Sequence, residues 1–308
     1  MIKPKLLMSK CFFEAVRYDG GKIVDPLVER LKPFFDVIVF CPEADFGLGI
    51  PRLPIKIHRI KGERHLIEEK TGRNLTHEIK AFWLRYLSTL PFPDGALLKS
   101  KSPSCGVGTA KLYEGEKIIG KTDGLFADTL REVFPYLPLE DEGRLRDKSL
   151  YYHFLTATFL LARFRAEVTS QDIKSLLDFH SKAKYLLKTY NEELAKKMGK
   201  LLADKNFSVE EKFNTYQNFL RLSLRKKPDK KRHVNTLYHL AGHFTKRLSS
   251  KERHHLLSLI EKYRAGLVDL TVPLKLIKSL ALRFEDTYVL NQIYLEPFPS
   301  ELRLPSGV

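Results

Sequence analysis

The apolar positions change rhythm along the chain, and the change divides it. In the first half they gather in short runs, Leu6-Leu7-Met8, Val37-Ile38-Val39-Phe40 and Ala96-Leu97-Leu98, each of strand length. Between the last two, Leu75, Ile79, Phe82, Trp83, Tyr86, Leu87 and Leu90 recur at three- and four-residue intervals, the spacing of one helix face. Leu27, Leu31 and Phe34-Phe35 predict a further short helix that closes at or just after Pro33. Strand, helix, strand, helix, strand is the order of a mostly parallel sheet. A Pro-rich, acidic stretch from Phe134 to Gly143 then reads as a hinge. Beyond it the pattern is helical almost throughout. Leu155, Phe159, Leu160 and Phe164 share a face, and Ile173, Leu176, Leu177 and Leu187 follow with breaks. Ser208 with Glu211 has the spacing of a capping box, and Ser250-Lys251-Glu252-Arg253 stands before Leu256, Leu257, Ile260 and Tyr263. The expected fold is an α/β N-terminal domain with a mostly parallel sheet over 1–148, followed by an all-α helical C-terminal domain over 149–308.

Composition narrows the class. With 308 residues the chain has room for two domains, and 43% hydrophobic and 29% charged residues are the proportions of a soluble globular protein. No apolar run approaches the ~20 residues a membrane span needs, and the basic start from Met1 to Met8 has too short an apolar stretch for a secretory signal. The cytoplasm is therefore the expected location. Charge is distributed unevenly. Through Leu150 there are 25 Lys and Arg against 21 Asp and Glu, and from Tyr151 onward 28 against 16, so +12 of the net +16 lies in the second half. Such a surface attracts a polyanion over about 8 Å at physiological salt, and nucleic acid or another polyphosphate is the expected one.

Cys11, Cys41 and Cys105 are the chain's three cysteines. An odd count argues against a disulfide framework, and separations of 30 and 64 residues match neither a zinc ribbon nor a redox pair. A single cysteine is ordinarily a small buried hydrophobe. Here each follows the end of a predicted strand and sits in a polar loop punctuated by Gly or Pro. Ligands of open parallel sheets bind outside the carboxyl ends of the strands, so the three thiols can meet on one crest. Three thiolates could hold zinc with a fourth ligand, or a [4Fe–4S] cluster with one iron left open. Composition does not choose between them. His239 and His243, four apart on a predicted helix, lack the Glu of a zinc-protease motif and read as capping, packing or RNA-contact residues.

The loops carry a resemblance. Cys11 with Val16-Arg17-Tyr18-Asp19-Gly20, Cys41-Pro42-Glu43 with Gly47-Leu48-Gly49-Ile50-Pro51-Arg52, and Lys99 through Cys105-Gly106 resemble the thiouracil desulfidase (TudS) family. The second half resembles the YbgA-like domain often fused to it, through His180 to Tyr185, His233 to Phe244, Val272-Pro273-Leu274 and Gln292 to Pro299. The resemblance implies a [4Fe–4S] cluster on Cys11, Cys41 and Cys105 whose fourth iron captures the substrate's sulfur. It implies proton transfer or water activation by Glu43, and positioning of the base or a reaction intermediate by Ser102. The family usually continues its first cysteine with Leu-Leu-Gly, where this chain has Phe12-Phe13-Glu14.

Fused desulfidases of this kind resemble those that act on thiolated tRNA, with 4-thiouridine as the implied base. Arg225, Lys226, Lys227, Lys230, Lys231 and Arg232, flanking Pro228-Asp229, are the candidate phosphate contacts. A base inside folded RNA would have to be exposed or flipped out to react. Sulfur insertion requires activation of the base oxygen, yet neither a Walker A sequence nor a Ser-Gly-Gly-x-Asp-Ser loop is present. The expected reaction is removal of sulfur without ATP, with no membrane partner. Desulfuration of free thiouracil or a thiouridine nucleoside is the alternative, and a non-catalytic iron–sulfur RNA-binding protein is another.

Overall fold

The structure, a computed structural model, describes residues 2–304. They divide into two compact units. One runs through Ala162 and takes in the segment from Glu301 onward, and the other is Arg163–Ser300.

The first unit contains two four-stranded sheets. Sheet A is built from β1 (Lys5–Ser9), β2 (Asp36–Phe40), β5 (Gly95–Leu98) and β8 (Leu139–Asp141), in the order β2-β1-β5-β8. All three pairings are parallel, so the carboxyl ends share one edge. The three apolar runs of the sequence are its three leading strands, and the chain reverses its direction of travel across the sheet between β1 and β5. Such a switch point leaves a crevice between loops that diverge to opposite faces. Helix α1 (Pro26–Leu31) links β1 to β2. Its N-cap Asp25 accepts hydrogen bonds from the N–H groups of Leu27 and Val28, with Pro26 at the first helical position.

Sheet B holds β3 (Ile55–Ile60), β4 (Glu63–Glu68), β6 (Ala110–Glu114) and β7 (Lys117–Thr122), in the order β4-β3-β6-β7. The apolar-run reading passed it by, because its strands alternate or are exposed instead of being continuously apolar. Ile55 and Ile57 point inward while Lys56 and His58 do not, and β7 is exposed over almost its whole length. Helix α2 (Thr76–Ser88) buries Ile79, Trp83 and Leu87 in a core shared with Phe40, Ile57, Leu98 and Phe126. Helix α3 (Leu125–Val133) supplies Phe126, and Phe40 stacks on Tyr86 with ring centroids 4.0 Å apart.

The acidic stretch expected to be a hinge is instead the buried fourth strand of sheet A and its following turn. Glu140, Asp141 and Glu142 are all buried. Each can be so because it is partnered: Glu140 by Arg144, Asp141 by two N–H groups and the Thr109 hydroxyl, Glu142 by Lys99 and Ser100. Satisfied carboxylates are invisible in a sequence, where the same letters read as solvent-facing.

Helix α4 (Lys148–Glu167) begins where the sequence placed its domain boundary, and the compact units divide within it. The second unit continues with α5 (Ile173–Tyr190), α6 (Glu192–Ala203), α7 (Val209–Ser223), α8 (Lys230–Gly242), α9 (Ser250–Ala265), α10 (Thr271–Arg283) and the short α11 (Thr287–Leu290). The Ser208/Glu211 capping box is present. The second box uses Ser249, not Ser250: Ser249 accepts from the Glu252 N–H and Glu252 returns to the Ser249 N–H. The α/β N-terminal region and the helical C-terminal region agree with the expected fold class. Among the described residues no helix is long and apolar enough to cross a membrane.

Candidate active site

The three cysteine loops leave three adjacent strands. Cys11 lies in a 3₁₀ turn directly after β1, Cys41 directly after β2, and Cys105 in the loop after β5. Because these strands neighbour one another in the order β2-β1-β5, residues 30 and 64 apart in sequence line one cavity of about 330 Å³. Its walls also include Ser9, Lys10, Tyr18, Glu43, Arg52, Lys99, Lys101 and Ser102. The thiols are free and buried. Burial pushes the Cys11 thiol up to about 12, with the neighbouring Cys41 acting in the same direction. Cys41 is raised by burial and by Glu43 beside it, and Cys105 is raised well above its ordinary value by burial. Three thiols that influence one another and stay protonated when nothing is bound will ionise only for a cation that compensates them. Among the described residues no three His, Cys, Asp or Glu side chains are gathered to ligate a single ion.

Each loop is held by identifiable contacts. The Cys41 N–H donates to Asp45 at 2.9 Å, its sulfur accepts the Ala44 N–H at 3.3 Å, and Trp83 Nε1 on α2 donates to the Pro42 carbonyl at 2.8 Å. Ser102 Oγ accepts the N–H groups of Ser104 at 3.2 Å and Cys105 at 3.1 Å, closing the turn that presents the third thiol. That turn rests on Gly124, whose N–H donates to the Gly106 carbonyl at 2.7 Å. A Cβ on Gly124 would stand 2.3 Å from the Ser104 carbonyl oxygen, so the close approach requires glycine there. Ser9, the last residue of β1, hydrogen-bonds Cys105 and accepts the Lys99 N–H at 2.9 Å.

Glu43 is buried with both oxygens engaged. Arg52 Nε and Nη2 each lie 2.9 Å from Oε2, and the fully buried Ser104 hydroxyl donates to Oε1 at 2.8 Å. Arg52 also donates to the Val16 carbonyl at 2.9 Å and lies 4.0 Å from the Cys41 sulfur, so one guanidinium ties the carboxylate to two cysteine loops. On the fourth strand's side, Lys99 Nζ reaches Glu142 at 2.6 Å and Ser100 Oγ at 2.9 Å. Glu43 and Ser102, singled out from the sequence, therefore line the same cavity as the thiols. Arg52, Ser104, Lys99 and Glu142 were not singled out. Arg52 and Lys99 lie inside the recognised segments, whereas Glu142 carried no signal because its partner is 43 residues away. Glu14, which stands where the family has a small residue, is exposed and pairs with Lys10 at 3.7 Å instead of lining the cavity.

In the helical unit the six basic residues bracket the start of α8. Arg225, Lys226 and Lys227 occupy the preceding turn, and Lys230, Lys231 and Arg232 form the first helical turn behind the N-cap Asp229. All six are exposed. Arg232 donates to the Tyr190 carbonyl, and the Lys230 ammonium lies 5.9 Å from the Tyr263 ring centre. His243 is engaged within the unit, by the Tyr185 hydroxyl at 2.8 Å and Asp286 at 3.3 Å.

Comparison with known proteins follows the same division. Residues 6–142 match the family model described as 2-thiouracil desulfurase, and residues 184–299 match that of a protein family of unknown function, DUF1722. The uncharacterized protein YbgA of Escherichia coli (strain K12) is 31% identical over 137 residues, which span 44% of this chain and 81% of YbgA. A solved structure of the [4Fe-4S]-dependent thiouracil desulfidase TudS is 29% identical and covers 49% of this chain and 98% of its own, with a TM-score of 0.37. The chain belongs to the family of YbgA, and the region that matches the 2-thiouracil desulfurase model lies ahead of the one that matches DUF1722.

Proposed function

We propose that the chain is a [4Fe–4S]-dependent desulfidase that removes sulfur from 4-thiouridine in tRNA and leaves uridine. The observation that carries this reading is the convergence of three buried thiols and one carboxylate on a single cavity at the carboxyl edge of a parallel sheet. The donor set fits such a cluster. Cysteine thiolates are its usual ligands, and a cluster takes them on separate irons, so thiols spread around a cavity suit it. With three ligands from the chain, the bound cluster supplies one thiophilic, Lewis-acidic iron free of protein thiolate.

The chain's own residues have separable tasks. Glu43, fixed at both oxygens by Arg52 and Ser104, takes a proton from the water that attacks the thiolated carbon. Ser102 accepts two backbone N–H groups through its oxygen, which leaves its proton to donate to the base. In the net reaction, carbon exchanges its bond to sulfur for one to the oxygen of water, and sulfide leaves with the water's two protons. No oxidant or nucleotide is consumed.

The RNA part of the reading rests on charge. From Arg163 to Ser300 there are 27 Lys and Arg against 15 Asp and Glu. Three of the cations occupy the first turn of α8, where the helix's own N–H groups disfavour positive charge and favour an anion. Anaerobic incubation of the cluster-loaded chain with thiolated tRNA, followed by nucleoside analysis, tests the proposal. Loss of 4-thiouridine with equal gain of uridine is expected. Turnover of free thiouracil alone would replace the RNA substrate with the base named by the matched family. No turnover by fully loaded protein would overturn the catalytic reading.

A further inference from the structure

The cations lining the thiol cavity are Lys10, Arg17, Arg52, Lys99 and Lys101. Four of them have a carboxylate partner. Lys10 pairs with Asp45 at 3.0 Å, Arg17 with Asp19 at 3.3 Å, Arg52 with Glu43 at 2.9 Å and Lys99 with Glu142 at 2.6 Å. Among the described residues Lys101 is the lining cation without an ion pair. It is also exposed, while the three thiols are 4–8% exposed, so it stands at the cavity's open end.

The fold holds Lys101 there against a local preference. Its φ of +61° is left-handed, a conformation that costs a residue with a Cβ about 1–2 kcal/mol. The Lys101 N–H donates to Thr109 Oγ1 at 3.0 Å, and that hydroxyl donates in turn to the buried Asp141 at 2.6 Å. Tyr18 lines the same cavity and leaves 46% of its surface exposed, with the Arg17 guanidinium 5.5 Å from its ring centre. Its carbonyl accepts the Arg52 N–H at 2.8 Å, which fixes it to the residue that clamps Glu43.

Volume decides which part of a substrate meets this lip. About 330 Å³ is at the small end of ligand cavities, and the buried end, where the thiols lie, must also hold the cluster. A planar pyrimidine can enter, while a sugar and its phosphates stay at the mouth. We infer that Lys101 is a specificity-determining residue that pairs with a phosphate on the sugar of the bound pyrimidine, with Tyr18 as the adjoining stacking surface. The site then selects a base still attached to its nucleotide over the free base. The inference rests on the proposed reading that the cavity admits a thiolated pyrimidine.

Calorimetric titration of the anaerobic, cluster-loaded full chain with uridine 3′,5′-bisphosphate and with uridine, at low salt, tests it. A charge-assisted pair of this kind gives the bisphosphate an advantage of about tenfold or more. Lys101→Gln is expected to remove about that factor, Lys101→Arg to keep most of it, and Tyr18→Leu to weaken both ligands. An unchanged ratio of the two affinities in Lys101→Gln would overturn the inference. The same preparation is assayed with 4-thiouridine 3′,5′-bisphosphate. Absence of desulfuration there counts against the desulfidase reading, while the ratio of affinities still decides the role of Lys101.

Discussion

The two compact units bury ionisable groups in opposite senses. In the α/β unit the buried thiols keep protons, Cys11 up to about 12. In the helical unit two half-buried imidazoles refuse them: desolvation brings both His180 and His233 down to about 4, each ring beside a tyrosine hydroxyl. Both are desolvation disfavouring the charged form, acting on an acid in one unit and a base in the other. The thiols line a cavity with a carboxylate, and the imidazoles are held by tyrosine hydroxyls. The thiols wait for a cation, whereas the imidazoles are finished parts of a packed bundle.

Removing a thiol should break the comparison most severely. Cys105→Ala is expected to abolish cluster absorbance and desulfuration together, while circular dichroism of the helices persists. Activity retained in that variant would sink the cluster mechanism. Glu43→Gln should keep the cluster and lower kcat by about 10²–10⁴, the usual worth of a positioned general base. Single-turnover kinetics with an absorbance check of the cluster separates the two outcomes.

Gly124→Ala probes the scaffold beneath the third thiol. Its φ of −65° suits alanine, so only the 2.3 Å approach to the Ser104 carbonyl is at stake. Overpacking there should cost about 1–3 kcal/mol and reduce cluster yield, read by denaturant titration and iron content.

Acid and alkali sharpen the contrast between the units. An unfolded histidine takes up a proton near 6.5, whereas His180 and His233 do so in the fold only near 4. The stability they contribute is fully present above pH 6.5 and is lost as pH falls toward 4, on the order of 3 kcal/mol for each. For the cluster-free α/β unit the sign reverses. Folded Cys11 holds its proton to about 12 against 9.0 in the unfolded chain, so its contribution is present below pH 9 and is lost as pH rises toward 12. Denaturation at pH 5, 7.5 and 10, with Cys11→Ala as the alkaline control, should show both slopes. Smallest of all, Lys231→Gln should weaken RNA binding only modestly and reduce the salt slope by about 1, measured by anisotropy across salt concentrations.

Much of this was legible before any coordinates. Strands β1 and β5 are continuous apolar runs, the form a strand takes when both its faces are covered, and β2 is apolar from Val37 to Phe40 although it lies at the sheet's edge with Val39 exposed. Helix α2 announces itself by its period, and the Ser208 box by its spacing. Sheet B escaped because Lys117–Thr122 is an exposed edge with no buried face to impose a pattern. Strand β8 and the turn after it escaped because their carboxylates look like solvent-facing residues until Arg144, Thr109 and Lys99 are brought to them.

The sequence by itself determined the three thiols, their position after strands, the carboxylate beside the second, and the concentration of positive charge in the helical half. Those are properties of residue type and order, and packing does not alter them. Tertiary structure alone decided that β1, β2 and β5 are neighbours, that Arg52 and Ser104 grip Glu43, and that Lys101 is left without a carboxylate. Each joins residues from separate segments, and strand pairing and buried hydrogen bonds settle such neighbours only when the chain closes on itself.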